Sequence, residues 1–524
     1  MRVAGCDAFH VHMITRLFSA ALRGIEAREV EVEVNARGAD KPMITIVGLP
    51  DAAVRESSQR VISAITASGL YLQDGVKTVN LAPADLKKEG PSFDLPIALA
   101  MAAASRGKPF ETAEFCVVGE LGLDGAVRPV KGVLSIALEA KRNGRTRIIV
   151  PADNAAEAAV IDGVDVHPVK CLREAWEFIS GNEWITPYEL DRAAFFESHR
   201  RHEVDFDEVR GQHQVKRALE VAAAGGHNIL LTGPPGTGKS MLAKRIPTIM
   251  PEMNEDDAIE TTRIHSVSGL LDTQRAFLTT RPFRSPHHTI SDVGLLGGGS
   301  NPKPGEVSLA HHGVLFLDEL PEFRRQTLEV MRQPLEDGQV TISRAAGTLT
   351  FPARFMLVAA MNPCPCGYYG DPKRECRCSP GQIDKYRQRI SGPLLDRIDL
   401  HVEVPAVDFR ELTAKKHGAE PSSAIRARVM DARNNQRLRF ATSPGVTTNA
   451  AMRPRQVREH CALDAESTGY LENAMEQMHF SARAHDRILK VARTLADLAG
   501  SENIQGNHIL EAIQYRSLDR KLFA

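Results

Sequence analysis

Gly233, Pro234, Pro235, Gly236, Thr237, Gly238, Lys239 and Ser240 form a Gly-x-x-x-x-Gly-Lys-Ser run. Glycines at these positions let the backbone curl until its N–H groups converge on a phosphate, and Lys239 reaches toward the β- and γ-phosphates. The apolar Ile229-Leu230-Leu231 precedes the run, and Met241 to Ile246 continue it with helical character. The loop therefore lies between a buried strand and a helix N-terminus, whose unpaired N–H groups and dipole favour an anion. The Ser240 hydroxyl is a ligand for Mg²⁺. These residues predict a site for a nucleoside triphosphate with Mg²⁺.

A second constellation is Gly313-Val-Leu-Phe-Leu-Asp318-Glu319. Four apolar residues running into two acids describe a buried parallel strand that delivers carboxylates at its C-terminal edge, where open α/β sheets bind ligands. Asp318 would hold Mg²⁺ and Glu319 would act as general base toward the attacking water. Another apolar run, Phe355 to Met361, ends in Asn362, whose amide can hydrogen-bond a γ-phosphate or the lytic water. Within Ser391-Gly-Pro-Leu-Leu-Asp-Arg397, the arginine looks like a finger for the γ-phosphate of a neighbouring subunit. The pairs His287-His288 and His311-His312 read as structural or phosphate-sensing neighbours rather than metal ligands.

Cys364, Cys366, Cys376 and Cys378 make two Cys-x-Cys pairs directly after the Asn362 strand and can supply a tetrahedral Cys₄ zinc site. Eight cysteines in 524 residues are too few for a disulfide scaffold and suit a reducing, cytoplasmic setting. No apolar run approaches the length of a membrane span, and the N-terminus lacks a signal-peptide core. The net charge of -1 confines any nucleic-acid surface to local patches.

The elements that must position these groups follow from the pattern. Glu29 to Leu49 alternates and then runs apolar, predicting a hairpin that ends at Gly48-Leu49-Pro50. Mixed strands and helices continue to Pro151 as an α+β domain. The order GPS-helix, VVGELGLDGAVRPV-KG, helix, IIVP resembles the proteolytic domain of Lon-type proteases. That resemblance places Ser92 at the nucleophile position and Leu134 at the position of its lysine base, which implies a fold without peptidase chemistry, with Ser92 read as a helix N-cap.

Phosphate loop, acidic strand end, sensor Asn362, Arg397 and a C-terminal helical segment, in this order, resemble the AAA+ ATPases. The insert from Arg281 to His312 and the hairpin Gln339 to Thr350 are similar to the magnesium-chelatase and MCM helicase branch. The whole chain resembles the ComM/YifB family of magnesium chelatase-like bacterial ATPases. The resemblance implies an α/β P-loop core at 205–405 with the cysteine insertion at 364–378, a helical lid at 406–524, a ChlI-type Lon-like domain at 1–172 and a linker at 173–204. It implies Arg483 as lid sensor, with Arg487 the alternative, and Arg344 at the hairpin tip and Arg284 in the insert as DNA contacts. A hexameric ATP-driven DNA helicase promoting branch migration in natural transformation, partnered by recombination proteins, is the implied function. An ATP-dependent protease or unfoldase and a metal-chelatase motor are the alternatives. The arginines from Arg426 to Arg455 read equally as a second DNA patch or as a solvated helix face.

Overall fold

The computed structural model describes residues 14–37, 43–107, 110–200, 202–272, 277–299, 302–344, 347–406 and 419–518. They form two compact units: Met1–Ser198 with Ala258–Leu278, and His199–Asp257 with Thr279–Ala524.

The first unit is built on a seven-stranded sheet in the order Met43–Val47, Val76–Ala82, Glu26–Arg37, Ile14–Arg23, Phe115–Val117, Arg147–Pro151, Asp165–Val169. In Glu26–Arg37 the alternation puts Val30, Val32 and Val34 in the core while Glu31 and Glu33 pair with Arg16 on the other face. The predicted hairpin is displaced. Glu26–Arg37 pairs antiparallel with Ile14–Arg23 through a turn at Gly24, whereas Met43–Val47 lies parallel to Val76–Ala82. The apolar run at 43–47 satisfied a hairpin pattern locally, but its partner is distant in sequence. Helix Asp94–Arg106 is buried along nearly its whole length, as expected for a helix apolar on every side. Helix Leu172–Ile179 adds Ala175, Trp176, Phe178 and Ile179 to the same core, so the first part of the expected linker is packed structure.

The second unit carries a five-stranded parallel sheet in the order Phe283–Arg284, Val314–Leu317, Met356–Met361, Ile229–Thr232, Leu400–Glu403. The middle three strands read VLFL, MLVAAM and ILLT and are buried throughout, the composition a sheet covered on both faces requires. Helices Ser422–Arg439, Ala465–Met478, Ala482–Leu498 and Gly506–Gln514 share one hydrophobic core with this sheet. The predicted lid is thus continuous in packing with the nucleotide core. Residues 407–418, at the boundary expected between them, lie outside the described residues. The hairpin Gln339–Arg344 with Gly347–Pro352 is a separate two-stranded ribbon. Among the described residues no helix is long and apolar enough to cross a membrane.

Candidate nucleotide site

Strand Ile229–Thr232 and helix Lys239–Ile249 bracket the phosphate loop, as the sequence predicts. Gly236 and Gly238 have φ of 79° and 84°, a region open to glycine at little cost, and Gly238 caps the helix. Lys239 is buried, and its Nζ donates to Gly233 O at 2.7 Å, Pro234 O at 2.9 Å and Asn362 Oδ1 at 3.2 Å. Burial lowers its pKa, with Asp318 opposing the shift. An ammonium held on carbonyl oxygens is already arranged for phosphate oxygens, and Asn362 shares that contact from the adjacent strand.

Ser240 Oγ donates to Asp318 Oδ2 at 2.6 Å, so the two groups expected to hold Mg²⁺ touch. A hydroxyl and a carboxylate are hard oxygen donors that suit this ion. Glu319 follows with φ 52°, a left-handed conformation costing a non-glycine residue about 1 kcal/mol. Its carboxylate is half exposed, and Oε2 lies 3.2 Å from His288 Nδ1. His288 thus brings the insert to the acid expected to act as base. Gln212 was not singled out by sequence. Its side chain donates to Thr237 O at 2.8 Å and to Pro405 O at 3.4 Å, fixing the phosphate loop to the end of the last strand. The only sequence signal was Gly211-Gln212 before a helix that has no capping side chain.

Arg397 and Arg483 come together elsewhere in this unit. They line a cavity of about 170 Å³ with Glu336, Asp396, Arg487 and Lys490, and no phosphate-loop residue contributes to it. Arg397 is folded onto Glu336 and the Pro393 carbonyl, while Arg483 is exposed and 3.4 Å from Asp396.

Profiles of three family segments match this chain: "Magnesium chelatase, subunit ChlI" over residues 205–412, "Subunit ChlI of Mg-chelatase" over 30–154, and "Magnesium chelatase, subunit ChlI C-terminal" over 419–516. The protein YifB of Escherichia coli is 44% identical over 96% of this chain and 97% of its own length. The chain belongs to the YifB/ComM family of magnesium chelatase-like proteins. The competence protein ComM of Haemophilus influenzae is 42% identical over 97% of this chain and 98% of its own. The DNA replication licensing factor mcm7 of Schizosaccharomyces pombe is 25% identical over 60% of this chain and 40% of its own. The AAA+ character of this family is that of an ATPase with ATP and Mg²⁺, in keeping with the site above.

Within this YifB/ComM-family chain, several expected cations prove to be engaged. Arg487, the alternative lid sensor, pairs with Asp399 at 2.8 Å. Asp399 is fully buried and also 2.8 Å from His227 Nδ1, whose Nε2 is 2.8 Å from Thr494 Oγ1. Burial acts to raise the Asp399 pKa, but Arg487 and His227 outweigh it and hold the carboxyl far below the usual range. Arg487 is thereby engaged in a buried ion pair, whereas Arg483 is exposed beside Asp396. Arg284 forms a two-point ion pair with Glu306 at 2.6 and 2.7 Å, which removes its free charge from the insert. In the arginine-rich segment, Arg428 binds Glu220 and Glu420, Arg433 is half-buried and donates to the Ala223 carbonyl, and Arg439 clasps Asp497 at 2.8 and 2.5 Å. These three guanidinium groups are thus engaged by partners within the fold. Arg344 remains exposed at the end of its strand.

In the first unit Ser92 lies in the short helix Pro91–Phe93, capped by Gly90, and caps neither that helix nor the next. The N-cap reading is therefore corrected. The local polar organiser is Asp94, buried and bound by Ser57, by Arg60 Nε at 2.9 Å and by Leu121 N at 3.3 Å. Leu134 is fully buried in helix Val133–Arg142, where a charged lysine base would be unsolvated.

The four clustered cysteines are brought together. Cys364 Sγ is 3.4 Å from Cys366 Sγ and 3.7 Å from Cys376 Sγ, and Cys366 and Cys376 are 3.6 Å apart. Cys366 N donates to Cys378 Sγ at 3.4 Å. The amides of Tyr368 and Arg377 pull the Cys366 thiol down to about 6.

Proposed function

We propose that this chain is a ring-forming ATPase that moves DNA, promoting branch migration during recombination and natural transformation in the cytoplasm. What supports the ring is the separation within one subunit of two halves of a catalytic site: Lys239, Ser240, Asp318, Glu319 and Asn362 on one side, Arg397 and Arg483 around a cavity free of phosphate-loop residues on the other. Arginines placed away from their own phosphate loop serve the site of the next subunit, as in a closed heterologous assembly, and a hexamer is the expected size. In each site Lys239 and the loop amides would orient the triphosphate, and Ser240 and Asp318 would hold a Mg²⁺ ion whose chemistry is to offset phosphate charge. Glu319 takes the proton of the attacking water, Asn362 aligns that water, and Arg397 and Arg483 stabilise the charge that develops in transfer.

Support for DNA comes from Arg344, an exposed cation on a projecting ribbon, and from the competence and replication functions that the names of two relatives state. A single basic residue per subunit, repeated around a ring, grips phosphates without reading sequence. The first unit is taken as a Lon-like domain that has lost peptidase chemistry, since the base position is the buried Leu134. That weighs against the protease alternative.

The deciding experiment measures ATP hydrolysis by the full chain with single-stranded, duplex and branched DNA, alongside its size with and without nucleotide. Stimulation by DNA that fades with salt is expected. Hydrolysis indifferent to every DNA form would overturn the DNA reading, and full hydrolysis by a monomer would overturn the ring.

A further inference from the structure

We propose that Cys364, Cys366, Cys376 and Cys378 hold one zinc ion, and that this ion stiffens the wall of the nucleotide site, so that metal and nucleotide bind cooperatively. The second half of the proposal rests on the nucleotide-site reading above. It does not depend on DNA.

The sulfur geometry carries the metal. Three mutual Sγ separations fall between 3.4 and 3.7 Å, and one ligand atom from each of the four residues lies within 4.8 Å of the others. A tetrahedral zinc with Zn–S bonds of about 2.3 Å sets its sulfurs about 3.8 Å apart. A disulfide would need one pair at about 2.0 Å and would leave the others unrelated. All four cysteines are free thiols. Four thiolates also select a soft cation over Mg²⁺.

The position of the cluster carries the coupling. Asn362, two residues before Cys364, accepts a hydrogen bond from Lys239 at 3.2 Å. Gly367, directly after Cys366, lies against the phosphate loop: a methyl group on it would come 2.6 Å from Pro235 Cδ. The segment 362–367 therefore meets the nucleotide loop at both ends, and two of the four sulfurs sit between those contacts. Arg387 braces it from the following helix, donating to Pro363 O at 3.3 and 3.2 Å and stacking on Tyr369. Beyond Cys364 the loop buries little apolar surface, so a metal is what can hold its shape. Without the ion, Asn362 and Gly367 lose their fixed places, and nucleotide binding must order them.

The test uses the full chain, with zinc content read by elemental analysis and nucleotide affinity by a fluorescent ATP analogue. One zinc per chain is expected in the wild type and none in Cys376→Ser, with affinity weakened about 10-fold in the latter, within the usual span of coupling between sites. Gly367→Ala should keep its zinc but weaken nucleotide binding, because the new methyl meets Pro235 and the φ of 87° is strained for alanine. By reciprocity, bound nucleotide should raise zinc affinity against a chromogenic chelator by the same factor as zinc raises nucleotide affinity. Zinc-free wild type would overturn the metal site. Zinc loss with unchanged affinity would overturn the coupling, as would unchanged affinity in Gly367→Ala should Cys376→Ser fail to fold. A zinc-loaded wild type that binds no nucleotide would instead overturn the nucleotide reading and the coupling built on it, and leave the metal site standing.

Discussion

Two arginines one helical turn apart, Arg483 and Arg487, face the same cavity and do different work. Arg487 neutralises the buried Asp399, whereas Arg483 is two-thirds exposed and, among the described residues, pairs with Asp396. Removing one partner of a buried pair leaves an uncompensated charge and costs about 3 kcal/mol or more. Arg487→Ala should therefore lower the thermal unfolding temperature of the second unit, and Arg483→Ala should leave it unchanged while reducing hydrolysis in the assembled protein. Calorimetry and a turnover assay on both variants check this, and the opposite pattern would exchange their roles. At the acid, Glu319→Gln should retain ATP binding while turnover falls by about 10² or more, the usual contribution of a general base. Equal turnover in wild type and Glu319→Gln would remove Glu319 from the chemistry.

At the scale of elements, the nucleotide strand, the acidic strand and the sensor strand were legible because each is a short apolar run ending in polar groups, a local signal that tertiary packing reinforces. Partnership was not legible. Met43–Val47 had the pattern of a hairpin arm, yet it pairs with a strand some thirty residues on, because strand pattern encodes burial and not which neighbour supplies it. The cations of helix Ser422–Arg439 could not be sorted by sequence either. Two of their acids, Glu220 and Asp497, lie far along the chain and meet them only in the fold. The same holds for Arg284 and Glu306 across the insert. The pre-sensor hairpin is different, since Arg344 was placed at its end by sequence and is exposed there. Arg344→Ala should keep basal hydrolysis and abolish its stimulation by DNA, while Lys substitution should retain most of it, since phosphate contact requires charge and not shape. Titrations of hydrolysis against DNA for the two variants would decide it.

For the whole molecule, His167, His202, His227, His460 and His508 all have pKa values lowered by burial. A histidine depressed in the folded state favours folding above its unfolded value of about 6.5, and that stability is lost as pH falls below it. Melting temperature should therefore drop between about pH 7 and pH 5, and His227→Gln should flatten part of the slope. Assembly permits a sharper prediction. If Lys239 serves its own subunit's nucleotide and Arg397 the neighbour's, Lys239→Ala and Arg397→Ala are each inactive alone, for opposite reasons. In a mixed ring, a site formed by the phosphate loop of an Arg397→Ala subunit and the arginine of a Lys239→Ala subunit has every group intact. Random mixing in equal amounts makes about one site in four of this kind, so roughly a quarter of wild-type hydrolysis should return, because heterologous interfaces join unlike surfaces of adjacent subunits. Subunits that carried their own arginine could not complement in this way, and the mixture would stay as inactive as its components. Recovery should also fall steeply on dilution, as subunits separate and each variant is left with half a site.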